Sequence, residues 1–152
     1  MLKWNDTAVF DLLTFFEGKT MGEGVFEDRQ GNAKRRFTID VTGRGDRTEL
    51  LLDERFDFDD GEVQHRTWRL RRGEGDDFTG RCADAVGDAI GRFDQDKAFM
   101  VSTLRLPVGS RMMALRFSDA FYRTGPRTML NRSIVSKWGV RIGLVLIGFR
   151  KP

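Results

Sequence analysis

Residues 53–72 read DERFDFDDGEVQHRTWRLRR, and their alternation decides the fold. Extended back to Leu50, the run puts Leu50, Leu52, Glu54, Phe56 and Phe58 on one face. Leu51, Asp53, Arg55 and Asp57 fall on the other, which is the period of two of a β-strand. Asp59-Asp60-Gly61 supplies a tight turn. Beyond it, Trp68 and Leu70 choose the interior and Arg66 shares their parity, while His65, Thr67 and Arg69 face out. Glu54 and Arg66 therefore face one interior from adjacent strands. A buried charge without a partner is costly, so the two are expected to satisfy each other or a bound polar group.

The hairpin pattern continues on both sides. TMGEGVFED (20–28) and AKRRFTIDVT (33–42) precede it. DFTGRCAD (77–84) follows, with Phe78, Gly80, Cys82 and Asp84 on one parity. AVGDAIGRF (85–93) fits either a Gly-kinked strand or a small-residue helical face, and is read as a strand. AFMVSTLRL (98–106), RMMALRFSDAF (111–121), RTMLNRSIVSKW (127–138) and VRIGLVLIGFRK (140–151) complete the set. The last run is apolar on both faces and is expected to be covered on both, on one side by an N-terminal helix. That helix is predicted over 7–17, capped by Asp6 and ended by Gly18, with Val9, Leu12, Leu13 and Phe16 at helical spacing. It acts either as a plug in one barrel end or as a lid over a ligand entrance. The expectation is an all-β chain: one antiparallel up-and-down barrel over 20–150, of about nine or ten strands, in a single domain spanning 1–152.

Hydrophobic residues are 39% of the chain and charged residues 32%, which places it among globular rather than disordered proteins. The one cysteine, Cys82, excludes an internal disulfide and a Cys-cluster metal site, and fits a reducing compartment. MLKWNDTAVFDLL carries acids where a signal peptide needs an unbroken apolar run. The longest apolar run, IGLVLIGF (142–149), falls far short of the roughly 20 residues of a membrane-spanning helix. A cytoplasmic location is expected, unless a leader precedes this sequence. Residues 97–152 hold eleven Lys/Arg against one acid, Asp119, whereas the whole chain is +3, so residues 1–96 carry −7. Either the later strands form a basic face suited to an anionic membrane, or acidic and basic strands lie side by side and cancel.

Four segments resemble a known family: FFEGKTMGEGVFEDRQGNAKRRFTID, LDERFDFDDGEVQHRTWRL, FTGRCADAVGDAIG and LNRSIVSKWGVRIG. In this order, from Phe15 to Phe149, they resemble uncharacterised bacterial proteins grouped as domain of unknown function 3833, many of them small lipoproteins. The resemblance implies a lipocalin-like β-barrel, no established activity, and an apolar ligand connected with lipid-modifying enzymes. The chain departs from the family in lacking the lipobox cysteine of exported members. It also has FDQDKAF (93–99) where a Gly-Asn-Ala stretch is expected, so no family site is carried over to that turn.

Glu54, Arg66 and Asp84 are the charged triplet that parity sends inward, beside Trp68. They can orient the polar head of a ligand while Phe56, Phe58 and Phe78 hold its apolar part. Alternatively they form an internal ion network that pins strand register and binds nothing, in a filled barrel. A catalytic reading makes the chain an enzyme of lipid or isoprenoid modification, with Glu54 or Asp84 as base. Two carboxylates flanking an arginine tend to stay ionised, which argues against it. His65 is the only histidine and faces outward, so neither a nucleophilic triad nor a histidine-centred metal site can be built. No phosphate-binding loop or dinucleotide fingerprint is present, and no cofactor is expected. Most Phe residues sit on core parity, which argues against nucleic acid. The leading expectation is a binding protein for a fatty acyl or other apolar ligand, accessory to lipid metabolism and served by an anionic membrane surface.

Overall fold

The computed structural model describes residues 10–152. The expected cap Asp6 and the first turn of the expected helix lie outside the described residues. Helix α1 is short, Leu12–Phe15, and its cap is Asp11, whose carboxylate accepts from the Leu13 and Thr14 amides. The same carboxylate pairs with Arg72, which ties α1 to the barrel wall. Gly18, at φ 75°, turns the chain out of α1 into the first strand.

Ten strands follow. They are β1 (Gly18–Asp28), β2 (Ala33–Gly45), β3 (Glu49–Phe58), β4 (Val63–Arg72), β5 (Asp77–Arg81), β6 (Ala89–Asp94), β7 (Lys97–Val108), β8 (Arg111–Gly125), β9 (Thr128–Lys137) and β10 (Val140–Arg150). Each pairs antiparallel with its sequence neighbours, and β1 pairs with β10 to close the barrel. Closure pairs every strand with two neighbours, although short β5 and β6 leave the loop-side parts of β4 and β7 without a ladder partner on that side. Alternation sends Phe37, Ile39 and Val41 inward from β2, Leu50 and Leu52 from β3, and Trp68 and Leu70 from β4.

Three local expectations change. The strand predicted over 77–84 stops at Arg81, and residues 82–88 turn away to lie on β7, where Ala85 bridges Leu104 and Val86 N–H donates to the Thr103 carbonyl. The second strand of that region starts only at Ala89. The outer face of β10 is not covered by α1, which meets the strand from inside through Phe16 on Phe149, edge to face at 5.2 Å. Leu144 and Leu146 stay half-buried on the outside.

All odd-numbered hairpin turns and the 82–88 connection gather at one end of the barrel. The even-numbered turns gather at the other, where α1 enters. Phe10, Leu12, Leu13 and Phe16 are buried in that second end. Beneath them Phe78 is fully buried and stacks on Phe93 at 4.7 Å. One end is thus plugged. The other is framed only by loops.

Candidate functional site

Between the plug and the loops the barrel encloses a cavity of about 430 Å³. That lies inside the roughly 300–1,000 Å³ typical of small-molecule sites. Leu12 of α1 and Phe16, which caps its end, form its floor. Toward the loops it is walled by aromatic rings. Phe37 lies 5.6 Å from Phe56 and 5.5 Å from Phe58, and Phe56 and Phe58 stack at 6.1 Å. Arg35 lies over Phe58 at 3.7 Å and pairs with Asp60 at 2.9 Å and Glu62 at 2.8 Å in the turn between β3 and β4.

The waist of the cavity is polar, and its polar groups come from opposite walls. β3 and β8 are five strands apart whichever way the barrel is followed, so they face each other across it. On one side Glu54 lies across the ladder from Arg66. On the other Asp119 lies across from Ser133. All four line the cavity. Asn131, also on β9, donates to Asp119 Oδ1 at 3.1 Å and to the Ala120 carbonyl at 3.2 Å.

The expected Glu54–Arg66 ion pair does not form. Arg66 instead donates from Nε to Asp84 Oδ2 at 3.2 Å. Among the described residues no cation lies within ion-pair distance of Glu54. The reason is the folding back of residues 82–88, which brings Asp84 to the guanidinium from outside the strand.

Burial pushes the Glu54 carboxyl up to about 7, against the opposing pull of Arg66 and the Trp68 side chain, and the charge of Asp119 raises it further. Burial likewise pushes Asp119 up to about 6, partly offset by Asn131 and Ser133. Both carboxylates keep some accessible surface. That surface faces the cavity rather than bulk water, so the surrounding protein governs their ionisation. Ser133 Oγ sits beside Asp119 without reaching hydrogen-bonding geometry to any group, although it is close enough to steady that carboxylate. The expectation that carboxylates near Arg66 stay ionised therefore changes for Glu54, because its arginine is engaged elsewhere.

Of the residues singled out from sequence, Glu54, Phe56, Arg66 and Trp68 line the cavity, as does Phe58. Asp84 lies in the 82–88 connection and reaches the site only through Arg66. Phe78 is packed at the plugged end and does not line the cavity. His65 is exposed, as its parity implies. Cys82 is buried, and burial raises its thiol. Asp119 and Ser133 were not anticipated, whereas Asn131 was considered at the cavity mouth and lies at the waist beside Asp119. Their signal was available: period two through 111–121 and 127–138 places them in file with Leu115, Phe121, Met129 and Val135.

Most ion pairs among the described residues lie within β1–β6 and their turns. From the basic third of the chain, Arg150 reaches Glu23 at 3.4 Å. Among the described residues, Arg105, Arg111, Arg116, Lys137 and Arg141 have no acid within ion-pair distance.

Several solved structures share this fold. An S-type phycobiliprotein lyase, CPES, from Guillardia theta superposes with a TM-score of 0.68 at 9% identity, covering 92% of this chain and 90% of its own. A protein of unknown function from the DUF3598 family of Nostoc punctiforme superposes with a TM-score of 0.67 at 11% identity, covering 95% of this chain. This chain spans 50% of that protein. EF1p2_mFAP2b, solved bound to DFHBI, superposes with a TM-score of 0.50 at 8% identity, covering 91% of this chain and 95% of its own. No curated protein matches the sequence. No helix among the described residues is long and apolar enough to cross a membrane. Residues 3–151 match the family described as "Protein of unknown function (DUF3833)", and the chain belongs to that family.

Proposed function

We propose that this protein is a cytoplasmic binding protein that holds one apolar ligand, of fatty acyl type, in the barrel and acts as an accessory to lipid metabolism. The observation that carries this reading is the barrel cavity, open toward the loops, mostly apolar in its lining and polar at the waist. A barrel filled for structural reasons alone has no use for a void of this size, because close packing is what stabilises interiors. The binding of DFHBI by EF1p2_mFAP2b supports small-molecule recognition on such a scaffold. The test is native mass spectrometry of protein purified from a lipid-rich host. A stoichiometric adduct is expected, and Ser102→Phe, which fills the waist, should abolish it while leaving the circular dichroism unchanged. A clean apo mass after incubation with mixed lipids would sink the proposal.

An anionic membrane is the proposed place of exchange. The loop end of β7–β10 exposes Val108, Met112, Trp138 and Val140, with Trp138 90% exposed at the tip of a two-residue turn. Trp138 holds φ 51° there, a left-handed conformation uncommon for a bulky residue. Lys137 lies 4.4 Å over its ring. Together with Arg111 and Arg141, this rim combines apolar tips and cations, the chemistry that enters an anionic interface. Trp138→Ala is expected to weaken binding to phosphatidylserine-containing vesicles about tenfold, with smaller loss on neutral ones. Equal binding by the variant and the parent would remove the rim from the mechanism.

A second reading, an enzyme working in the same cavity, is favoured by one observation. Glu54, at about 7, matches what a general base at neutral pH requires. Turnover separates the two, since a carrier returns its ligand with unchanged mass.

A further inference from the structure

The waist holds more acid than its cations balance. Glu54 projects from β3 and Asp119 from β8, on opposite walls of one cavity. The groups around them are few. Beside Glu54, β4 contributes Arg66, whose Nε is taken by Asp84. Beside Asp119, β9 contributes Asn131 and Ser133, and β7 contributes Met100 and Ser102. Arg35, on β2 near the loop end, pairs through Nη2 with Asp60 and Glu62, while its buried Nε has no partner. Among the described residues neither carboxylate has a cation within ion-pair distance.

A separate observation points to a missing partner. Ser133 is 3% exposed, lines the cavity, and its hydroxyl is buried without a hydrogen bond. A buried hydroxyl without a partner is destabilising until something satisfies it. It stands next to Asp119, so one ligand group can reach both.

We infer that the waist is a clamp for a cationic nitrogen, in which an apolar ligand places an ammonium-type head between Glu54 and Asp119 with Ser133 accepting a further hydrogen bond. The inference rests on the cavity being a binding site, and it narrows the ligand class. A free fatty carboxylate at the waist is disfavoured, because it would meet two acids there. An ammonium ion has donors for both carboxylates and for the serine. Its positive charge also replaces the proton that burial otherwise forces onto the acids, so binding strengthens as pH rises through the range where they ionise.

The experiment uses the intact delipidated protein and three probes of equal chain length: dodecylammonium, laurate and 1-dodecanol, titrated calorimetrically below their aggregation limits. At about pH 8, dodecylammonium is expected to bind at least about tenfold tighter than laurate. The preference should shrink about tenfold by about pH 5, where both carboxyls are protonated, while dodecanol binding stays level. The Glu54→Gln/Asp119→Asn double variant should lose the preference and keep dodecanol binding, which reports an intact cavity. Should the double variant lose dodecanol as well, the single Asp119→Asn variant carries the same comparison. Laurate binding as tightly as dodecylammonium, or a preference that survives the substitutions, overturns the inference and leaves the carrier reading standing. Binding of none of the three overturns the carrier reading and this inference with it.

Discussion

Glu54→Gln is expected to stabilise the ligand-free protein by ~2–3 kcal/mol at about pH 8 and to leave it little changed at about pH 4. The folded-state carboxyl titrates at about 7, against 4.5 for an unperturbed glutamate. Between those values the folded protein keeps a proton that the unfolded chain has released. Stability therefore falls as pH rises from about 4.5 to about 7 and levels off beyond, a loss of ~3 kcal/mol from this residue. Asp119, raised from 3.8 to about 6, adds a loss of the same sign at slightly lower pH. Glutamine has no proton to release and removes the first part. Urea denaturation of parent and variant at several pH values checks this. If Glu54→Gln destabilises equally at acid and alkaline pH, the carboxyl is not buried as described, and the acid clamp loses its basis. Occupancy by a cationic ligand should also cancel the alkaline loss in the parent, because the ligand binds only the folded form.

Gly43→Ala is expected to cost ~3 kcal/mol or more, at the upper end of overpacking penalties, and to loosen the plugged end. Gly43 lies on β2 opposite Gly18 and Leu52. A methyl group there would overlap the Phe16 carbonyl oxygen and crowd the Glu17 Cα. Both obstacles are backbone, so no rotamer change relieves them. Relief requires α1 to lift, which withdraws Phe16 from Phe149 and opens the cavity floor formed by Leu12 and Phe16. The expected signs are a lower midpoint of thermal unfolding and faster ligand release. A variant with parental stability and release rate would show that α1 slides freely, making it a mobile lid rather than a fixed plug.

Much of the fold was legible because alternation reports which face a residue takes. The hairpin of 53–72 reads its own register, and Glu54 does lie across from Arg66. Alternation does not report height along the barrel axis. Phe78 shares inward parity with Phe56, yet it packs beneath the plug while Phe56 lines the cavity. Nor does it foresee where a strand gives out. Asp84 continues the parity of Phe78 and Gly80 on paper, but the chain leaves the sheet at Arg81, so Asp84 arrives from a connecting segment and takes Arg66 away from Glu54. That one event turns an expected neutral pair into an unbalanced acid. Asp119 and Ser133 were readable in principle. Asp119 is a single polar residue in an apolar file and Ser133 shares its file with Asn131, and such files are identified as interior only once both neighbouring strands are assigned.

The departure at Arg81 has a mechanical side. β4 and β5 share four paired positions, and so do β5 and β6, whereas β7 and β8 share twelve. The wall thus has two short staves, and the gap above them is covered by residues 82–88, which lean on β7 and are tied to β4 through Asp84 and Arg66. Local opening of a protein follows the cheapest set of contacts to break. Here that set is the Asp84–Arg66 tie and the few rungs of β5. The wall is therefore expected to open sideways at this point before it loosens at either end.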